Sequence, residues 1–458
     1  MSRKDSYYIP FEISTQVYQY KNATRAYISN EKEHEYFLLE GLSAKLWKLL
    51  IDYNDKNIQK FAKDNGLENE LDIFFNELLC LGLLKNKEDR NKQLQTFFEN
   101  KESKTHLSQL KFEERMNNWL KKRNFLQRLL IELTYKCNLK CIHCYNEKDN
   151  KKNEELTFPA IKKIIDEAHK LGMFNVVLSG GEATLSNEFY QIAKYIREKK
   201  LSLEIYTNGQ VLYENEKLLE DLIKLYPHRV SLSLYSLNEE IHEKITGVKG
   251  SFKKTINVIR KLKENNISVG IKCFLTKYNV DSYLELKEFA KENKLSLQVD
   301  CKFINNENNK NKNVQLTQEQ LLKLYSDKKS LFKVKKFSIT EEFKKSTLCS
   351  AGQTSLTINP NLNVYCCPTL QLPLGNLKNE TITTIWKNNN PTSTLYKIRE
   401  TKKQDLKECW KDEFCQYCIY CPGIAFLENK YLKKHKPFCI DAKCRMNAYV
   451  KKRKSQIK

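Results

Sequence analysis

The sequence predicts an α/β protein built around a partial (β/α)6 TIM-like barrel, with an N-terminal winged helix-turn-helix module and a C-terminal cysteine-rich domain. Three observations support this prediction. Six β-prone runs alternate with amphipathic helical patterns between residues 126 and 335, as expected of a parallel sheet with helical crossovers. Three cysteines follow the first of these runs directly. Nine of the other twelve cysteines lie between Cys349 and Cys444.

Length and composition narrow the class of protein. The chain has 458 residues, 40% of them hydrophobic, which is enough for about two to four packed domains. The formal net charge of +23 attracts acidic partners, but lysine-rich solvated helices produce the same excess. The sequence contains no run of about 20 apolar residues and no signal-peptide pattern. We therefore expect a cytoplasmic protein that does not enter a membrane.

The N-terminal module is predicted from short β-prone runs at 8–13, 24–29 and 35–40, followed by three helical patterns. The apolar pair Leu83-Leu84 is a candidate wing strand. The predicted domain bounds are 1–95 for this module, 96–125 for a charged linker, 126–335 for the barrel and 336–458 for the cysteine-rich domain.

The barrel strands are the most regular part of the prediction. Each run is rich in β-branched or other apolar residues and is followed by a helical pattern, so the carboxyl ends of the strands should meet at one face, where chemistry is expected. The predicted strands are residues 129–134, 175–180, 203–208, 229–236, 268–276 and 296–304.

Cys137, Cys141 and Cys144 have CxxxCxxC spacing and follow the first barrel strand. In a reducing compartment such thiols are more often metal ligands than disulfides. Three thiolates at this spacing can hold three irons of a 4Fe-4S cluster and leave the fourth iron open. Zinc is the alternative, with His143 as a fourth ligand.

This spacing resembles that of the radical S-adenosylmethionine (SAM) enzymes, and the ends of the following strands agree. Gly180-Gly181-Glu182 ends the second strand, Thr207-Asn208-Gly209 ends the third, and Ser233 lies in the fourth. The resemblance implies that the Gly-Gly-Glu segment binds the amino group of the SAM methionine moiety, and that Ser233 contacts its ribose or carboxylate. The family usually has proline where this chain has Ala183. The site implied in this way comprises catalytic Cys137, Cys141 and Cys144 and cofactor-binding Gly180, Gly181, Glu182, Asn208, Ser233 and His143.

The C-terminal cysteines begin with Cys349 and the segment from Ile358 to the pair Cys366-Cys367. Their order resembles the SPASM extension, in which auxiliary 4Fe-4S clusters are bound. The later spacing departs from the family pattern, and Leu362 stands where glycine is common. A zinc ribbon is the alternative. The resemblance implies two auxiliary clusters, with Cys367 preferred to Cys366 and Cys439 to Cys444, and with the metal ligands Cys349, Cys367, Cys409, Cys415, Cys418, Cys421 and Cys439.

Three cysteines lie outside these groups. Cys80, Cys273 and Cys301 are expected to be packed as small hydrophobic side chains. If Cys273 or Cys301 pointed into the barrel mouth, its thiol would be able to donate a hydrogen atom to a substrate radical.

The N-terminal module does not have the features of a DNA reader, because its third helical pattern carries Glu70, Asp72 and Glu77. Its order of strands and helices and its Leu-Gly-Leu-Leu ending resemble the recognition element fused to enzymes that modify ribosomally synthesised and post-translationally modified peptides (RiPPs). Such elements bind a leader peptide as an added strand. We therefore expect a precursor peptide as partner and no nucleic acid or membrane. A purely structural docking domain is the alternative.

Together the resemblances imply a radical SAM peptide maturase. The implied reaction is oxidative cross-linking, thioether or carbon–carbon, through a 5′-deoxyadenosyl radical, with flavodoxin or ferredoxin as electron donor. The alternatives are a peptide epimerase, a sulfatase-type maturase of the same superfamily, or a non-catalytic metal-binding winged-helix regulator. The Gly-Gly-Glu and Thr-Asn-Gly strand ends argue against the regulator, which has no need of a methionine pocket.

Overall fold

The structure is a computed structural model that describes residues 7–20, 23–52, 55–86, 120–144, 154–302, 312–406, 409–429 and 436–454. Much of the predicted linker at 96–125 therefore lies outside the described residues. Among the described helices, none combines the length and the apolar character needed to cross a membrane.

The N-terminal module is a three-stranded antiparallel sheet followed by three helices and a two-residue strand. Its core includes fully buried Trp47, whose Nε1 donates to Thr15 Oγ1 at 2.8 Å. The last strand pairs with the first one, in a ribbon separate from the sheet. The elements are β1 (Tyr7–Tyr8), β2 (Ile13–Tyr20), β3 (Ala23–Asn30), β4 (Glu35–Glu40), α1 (Gly41–Asp52), α2 (Asp55–Asp64), α3 (Glu68–Cys80) and β5 (Lys85–Asn86).

Two predictions for this module need correction. The run at 8–13 is not one strand: the chain turns after Pro10, whose carbonyl accepts the Ile13 N–H at 3.2 Å, and the long strand β2 begins only at Ile13. The winged helix-turn-helix is not confirmed, because strand β5 has two residues and pairs with β1 instead of forming a hairpin wing. The sheet and the three helices are present as predicted.

The centre of the molecule is a parallel sheet with helical crossovers, as predicted. All six predicted strands are present, each ending within a few residues of its predicted bounds. The elements are β6 (Arg128–Glu132), α4 (Phe158–Lys170), β7 (Asn175–Ser179), α5 (Phe189–Glu198), β8 (Ser202–Thr207), α6 (Gln210–Glu214), α7 (Glu216–Lys224), β9 (Arg229–Ser233), α8 (Glu239–Thr246), α9 (Ser251–Glu264), β10 (Val269–Phe274), α10 (Tyr283–Glu292) and β11 (Ser296–Asp300).

Alternation along the strands separates an apolar outer face from a polar inner face. On β8, Leu203 and Ile205 are fully buried in the core beneath the helices. The alternate residues of β8, Glu204 and Tyr206, face the barrel interior, where both contact Arg128 of β6. The interior of this barrel is therefore partly charged.

The sheet continues into the C-terminal region. Strand β12 pairs in parallel with β6, and a hairpin of β13 and β14 follows it. The bound predicted at 335 and 336 remains a prediction, but the sheet itself joins the two regions. The elements are α11 (Gln318–Ser326), α12 (Glu341–Lys345), β12 (Ser355–Ile358), β13 (Asn363–Tyr365), β14 (Gly375–Asn376), α13 (Ile382–Lys387), α14 (Thr394–Glu400), α15 (Pro422–Asn429) and α16 (Lys436–Lys454).

The N-terminal sheet docks on the end of the barrel where the strands begin. Thr15 of β2 donates its N–H to the carbonyl of Lys200, just before β8, at 2.7 Å. Gln16 Nε2 donates to the Met173 carbonyl, just before β7, at 2.9 Å. His228, just before β9, lies 2.9 Å from the buried carboxylate of Glu31. The module therefore lies opposite the carboxyl ends of the strands.

Arg197 is the fully buried cation of this interface. Its guanidinium donates to the carbonyls of Leu225 at 2.9 Å and Leu201 at 2.6 Å within the barrel region. It also donates to the Phe11 carbonyl at 3.0 Å and to the Ser14 hydroxyl of the N-terminal module. One side chain thus satisfies acceptors on both sides of the interface.

Replacing Arg197 with Met should lower the free energy of unfolding by about 3 kcal/mol or more, because buried carbonyls lose a charged donor. Urea unfolding of the apoprotein, followed by circular dichroism, measures this change. The control is Lys194→Met on the same helix, where an exposed ion pair with Glu198 at 3.8 Å is lost, at an expected cost below about 0.5 kcal/mol. Equal effects of the two substitutions would contradict the role assigned to Arg197.

Candidate active site

A cavity of about 790 Å³ opens at the carboxyl ends of the barrel strands. It lies where the chain leaves β6, β7, β8, β9, β10 and β11, and residues of the C-terminal region close one side. All nine residues predicted for the catalytic and cofactor-binding set line it. They are Cys137, Cys141, His143, Cys144, Gly180, Gly181, Glu182, Asn208 and Ser233.

The cysteine loop after β6 is held by backbone hydrogen bonds to the end of α8. Lys140 donates its N–H to the Thr246 carbonyl at 2.8 Å, and Ile142 donates to the Ile245 carbonyl at 3.0 Å. Gly247 permits this approach, since a Cβ atom there would lie 2.8 Å from the Lys140 carbonyl oxygen. The loop leaves its three thiols half-buried on the cavity wall.

Gly180 and Gly181 bring the end of β7 into contact with the start of the cysteine loop. A Cβ atom on Gly180 would lie 2.4 Å from the Thr134 carbonyl oxygen, and one on Gly181 would lie 2.3 Å from that of Lys136. The Gly181 N–H donates to Thr134 at 2.7 Å. These contacts exclude any side chain, so both glycines are required by close backbone approach.

Glu182 is fully engaged by protein donors. One carboxylate oxygen accepts from the Thr184 N–H at 3.1 Å, the Thr184 hydroxyl at 2.6 Å and the Thr207 hydroxyl at 2.7 Å. The other accepts the Asn208 N–H at 2.7 Å. Burial raises the pKa of this carboxyl, and the four hydrogen bonds oppose the rise. The side chain therefore joins the ends of β7 and β8, and the segment turns backbone groups toward the cavity.

His143 contributes an aromatic surface to the cavity. Its ring stacks on Phe274 with a centroid distance of 5.3 Å and meets Tyr235 edge-on at 4.8 Å. Burial lowers its pKa to about 4, so the imidazole is neutral at physiological pH. Its Nδ1 is buried and has no hydrogen-bond partner among the described residues.

Asn208 links the strand end of β8 to the cysteine loop. Its amide donates to Asn138 Oδ1 at 2.7 Å and lies 3.9 Å from the Cys137 sulfur. Its own oxygen accepts the Gln210 N–H at 3.0 Å. The cysteine loop, β7 and β8 therefore form one hydrogen-bonded unit around the cavity.

The C-terminal cysteines fall into two neighbourhoods. Cys349 and Cys367 each lie close enough to Cys421 for its charge to raise their pKa, beyond the larger effect of burial. Burial, together with neighbouring Cys415 and Cys439, raises the pKa of Cys418 to about 12, although Lys302 opposes the rise. Cys409 lies near Tyr420, which stands between Cys418 and Cys421 in the chain.

The two ambiguous cysteines, Cys366 and Cys444, are both buried. Cys366 lies near enough to Cys349 and Cys367 for them to raise its pKa, beyond the larger effect of burial. Cys366 is fully buried against Gly352, where a Cβ atom would lie 2.8 Å from its sulfur. Cys444 is buried on α16, with its sulfur 3.8 Å from the Gln318 carbonyl oxygen. Within the described ranges, no three or more His, Cys, Asp or Glu side chains are grouped to hold a single metal ion.

Leu362 occupies the turn between β12 and β13 with φ of 64°. This left-handed conformation is readily adopted by glycine and is costly for a branched side chain. The backbone therefore explains why glycine is common at this position of the SPASM pattern, and leucine keeps the same turn here.

The prediction that the three remaining cysteines are buried is confirmed for one of them. Cys273 is buried, as expected. Cys80 is exposed at the end of α3, because the apolar face of that helix is formed by Leu71, Phe74, Phe75 and Leu78. Cys301, directly after β11, is half-buried and lines the cavity.

Sequence reasoning missed several cavity residues, including Tyr206, Tyr235, Lys272 and Phe274. They belong to the inward-facing positions of β8 to β10 or follow them directly. The alternation of apolar and polar residues along each strand could have identified these positions. Which of the two faces points inward, however, is fixed only by pairing with neighbouring strands.

Glu182→Gln should lower the free energy of unfolding by about 2 to 3 kcal/mol, because the amide NH2 meets donors where the carboxylate accepted them. Chemical denaturation of the apoprotein measures this loss. Glu198→Gln is the control, since its side chain is half-exposed and the expected change is below about 0.5 kcal/mol. An unchanged stability in Glu182→Gln would show that this carboxylate does not join the strand ends.

Comparison with known proteins agrees with this arrangement. Residues 131–292 match the family model of the radical SAM superfamily, and residues 349–422 match the SPASM iron-sulfur cluster-binding domain. The first match extends from the end of β6 through β7 to β10 with their crossovers, and the second includes most of the C-terminal cysteines.

Curated relatives and solved structures extend the match. The antilisterial bacteriocin subtilosin biosynthesis protein AlbA of Bacillus subtilis is 28% identical over 324 residues, covering 67% of this chain and 69% of that protein. The mycofactocin maturase MftC of Mycolicibacterium smegmatis is 31% identical over 163 residues, but the match covers only 35% of this chain and 40% of that protein.

The crystal structure of Streptococcus suis SuiB bound to precursor peptide SuiA superposes with a TM-score of 0.54 at 18% identity. It covers 93% of this chain and 98% of SuiB, and at this identity the likeness shows the fold. The two family matches and the cavity at the strand ends lead to one conclusion: this chain carries a radical SAM domain and a SPASM domain, and it is an enzyme whose cofactors are SAM and 4Fe-4S clusters.

Proposed function

We propose that this enzyme modifies a ribosomally synthesised precursor peptide by oxidative cross-linking, through a thioether or carbon–carbon bond. The observation that carries the proposal is the convergence of three thiols and three strand ends on one cavity. When bound there, the cluster and SAM supply a carbon-centred radical that removes a hydrogen atom from the substrate. A flavodoxin or ferredoxin supplies the electron.

The residues present fit the cofactors. Cys137, Cys141 and Cys144 provide three thiols on one loop, the number that leaves one iron of a 4Fe-4S cluster without a protein ligand. The Gly180 and Gly181 backbone is closely packed against this loop and lines the cavity. The stacked His143 ring and Ser233 line the other side. These residues bind and orient the cofactor and limit the access of water.

Two auxiliary clusters follow from the C-terminal neighbourhoods. One cluster would be held by Cys349, Cys367 and Cys421, and the other by Cys415, Cys418 and Cys439. Cys409 would be the fourth ligand of one of these two clusters. Lys302 lines the active-site cavity and donates to the Ile419 carbonyl, between Cys418 and Cys421. Clusters held by these cysteines would therefore lie beside the cavity wall and would supply a site for the electron left after bond formation.

A peptide substrate is supported by the relatives and by the N-terminal sheet. AlbA and SuiB act in peptide biosynthesis or bind a precursor peptide, as their names state. In this chain the β2 edge of the N-terminal sheet is occupied by the barrel, through Thr15 and Lys200. Within the described ranges, β4 forms the other edge with no further strand paired to it. That edge is where we place a leader peptide as an added strand.

Epimerisation is the second candidate, and Cys301 is the observation that favours it. Its thiol lines the cavity, and burial raises its pKa to about 12, so the group stays protonated. A protonated thiol is suited to return a hydrogen atom to a substrate radical. Mass spectrometry in D2O distinguishes the two reactions: cross-linking removes two hydrogen atoms, whereas epimerisation leaves the composition unchanged except for the hydrogen exchanged.

The anaerobically reconstituted enzyme with dithionite and SAM should form 5′-deoxyadenosine, and Cys141→Ala should abolish it, because the loop then lacks one cluster ligand. Chromatography of the quenched reaction measures the product. Cys80→Ala is the control, since Cys80 is exposed in the N-terminal module. Undiminished product formation in Cys141→Ala would refute the proposed site.

Iron content tests the auxiliary clusters. Three 4Fe-4S clusters correspond to about twelve irons per chain, and replacing Cys367 or Cys418 with Ala should each remove about four. Cys444→Ala is the control, because its thiol packs against α11, with the sulfur 3.8 Å from the Gln318 carbonyl oxygen. Four irons together with bound zinc in the unmodified protein would reject the auxiliary clusters.

A further inference from the structure

Lys272 is a charged residue of the cavity that the proposed reaction does not use. It lies on β10, beside Ser233 of β9 and Gln298 of β11 in the sheet register. Its Nζ donates to Gln298 Oε1 at 2.7 Å and lies 3.8 Å from the centroid of the Tyr206 ring. The ammonium group is therefore surrounded by an uncharged amide and a ring face.

The charges nearest to Lys272 are mostly of its own sign. Arg128 and Arg229 face it together with one carboxylate, Glu204. That carboxylate is already bound by Arg128 Nη2 at 2.8 Å, and the same nitrogen donates to the Tyr206 hydroxyl at 2.7 Å. Burial lowers the pKa of Lys272 to about 8, with Arg128 and Arg229 adding to the shift and Glu204 opposing it. Lys272, Arg128 and Arg229 are thus grouped around Glu204.

The cavity itself does not correct this imbalance. Its acidic side chains within the described residues are Glu182 and Asp300. Glu182 is engaged by Thr184, Thr207 and Asn208, and Asp300 accepts the Lys302 N–H at 2.9 Å. In addition, the Nε of Arg229 is buried and has no acceptor among the described residues. The described charged side chains around Lys272, which are Arg128, Arg229 and Glu204, therefore present excess positive charge to a group that enters this part of the cavity.

We propose that Lys272 binds a carboxylate of the substrate peptide, either an acidic side chain or the chain terminus, next to the reacting residue. Such a group supplies the missing negative charge and forms a charge-assisted hydrogen bond with the ammonium. The inference rests on the proposed function, because it takes this cavity as the binding site of the peptide. Lys272 is then a specificity-determining residue that favours acidic substrate segments.

The ammonium lies deeper in the barrel than the cysteine loop, and SAM affinity distinguishes a substrate carboxylate from that of SAM as its ligand. Phe274, two residues after Lys272 on the same face, reaches His143 in the cysteine loop. Lys272 instead reaches Tyr206, which precedes Asn208 on β8. Its charge therefore lies level with Ser233, and deeper in the barrel than Asn208 and the residue that contacts the cysteine loop, Phe274.

The rate at which limiting acetic anhydride acetylates Lys272 reports whether a ligand covers its ammonium group. Peptide mass spectrometry of the reconstituted protein measures this rate. Saturating N-acetylglutamate methylamide, as a side-chain probe, or N-acetylalanine, as a terminal probe, should slow the acetylation about threefold or more. Protection by either probe supports the proposal and identifies the source of the carboxylate. The amide counterparts of both probes should not protect, and exposed Lys194 is the internal control.

Equal protection by the acids and their amides, or none by any of them, would overturn the proposal. A second measurement is SAM affinity by equilibrium dialysis without reductant. Lys272→Met and Lys272→Arg should bind SAM within about twofold of the unmodified protein, with iron content confirming folding. A Lys272→Met protein that retains its iron but loses SAM affinity would assign Lys272 to the cofactor instead. Both measurements read binding alone, so they remain decisive if the protein turns out not to cross-link peptides.

Discussion

The buried carboxylate of Glu182 is the interaction on which the geometry of the site depends. It accepts four hydrogen bonds from the ends of β7 and β8. Directly before it, Gly180 and Gly181 pack against the start of the cysteine loop at distances that exclude any Cβ atom. Because parallel strands bring their carboxyl ends to one face, this unit sets the separation between the thiols and the rest of the cavity.

The two additions to the barrel act on opposite ends of it. The N-terminal sheet is fixed by Arg197 and Glu31 where the strands begin, whereas the cavity lies where they end. A peptide held on the β4 edge must therefore pass along the outside of the barrel before its reacting residue enters the cavity. The C-terminal region, joined to the sheet through β12 and β6, instead brings Cys421 and Ile419 to the cavity wall.

The barrel and its strand ends could be predicted because their signals are local. Alternation and crossover helices locate β6 to β11, and CxxxCxxC and Gly-Gly-Glu each lie within a few residues. The engagement of Glu182 could not be predicted, since its donors Thr207 and Asn208 come from another strand. The same is true of Lys272, whose surroundings depend on the register of three strands. The shift of the first long strand to Ile13 depends on a turn at Pro10 that short-range β propensity does not reveal.

Cys137, Cys141 and Cys144 would hold a 4Fe-4S cluster with one iron left open to bind SAM. Electron–nuclear double resonance of the dithionite-reduced protein, with SAM labelled with nitrogen-15 in its amino group, tests this directly. If SAM binds the open iron through its amino group, the spectrum shows a nitrogen-15 hyperfine coupling that is replaced by a nitrogen-14 coupling with unlabelled SAM. Identical spectra with both forms of SAM, from protein that contains the reduced cluster, would contradict it.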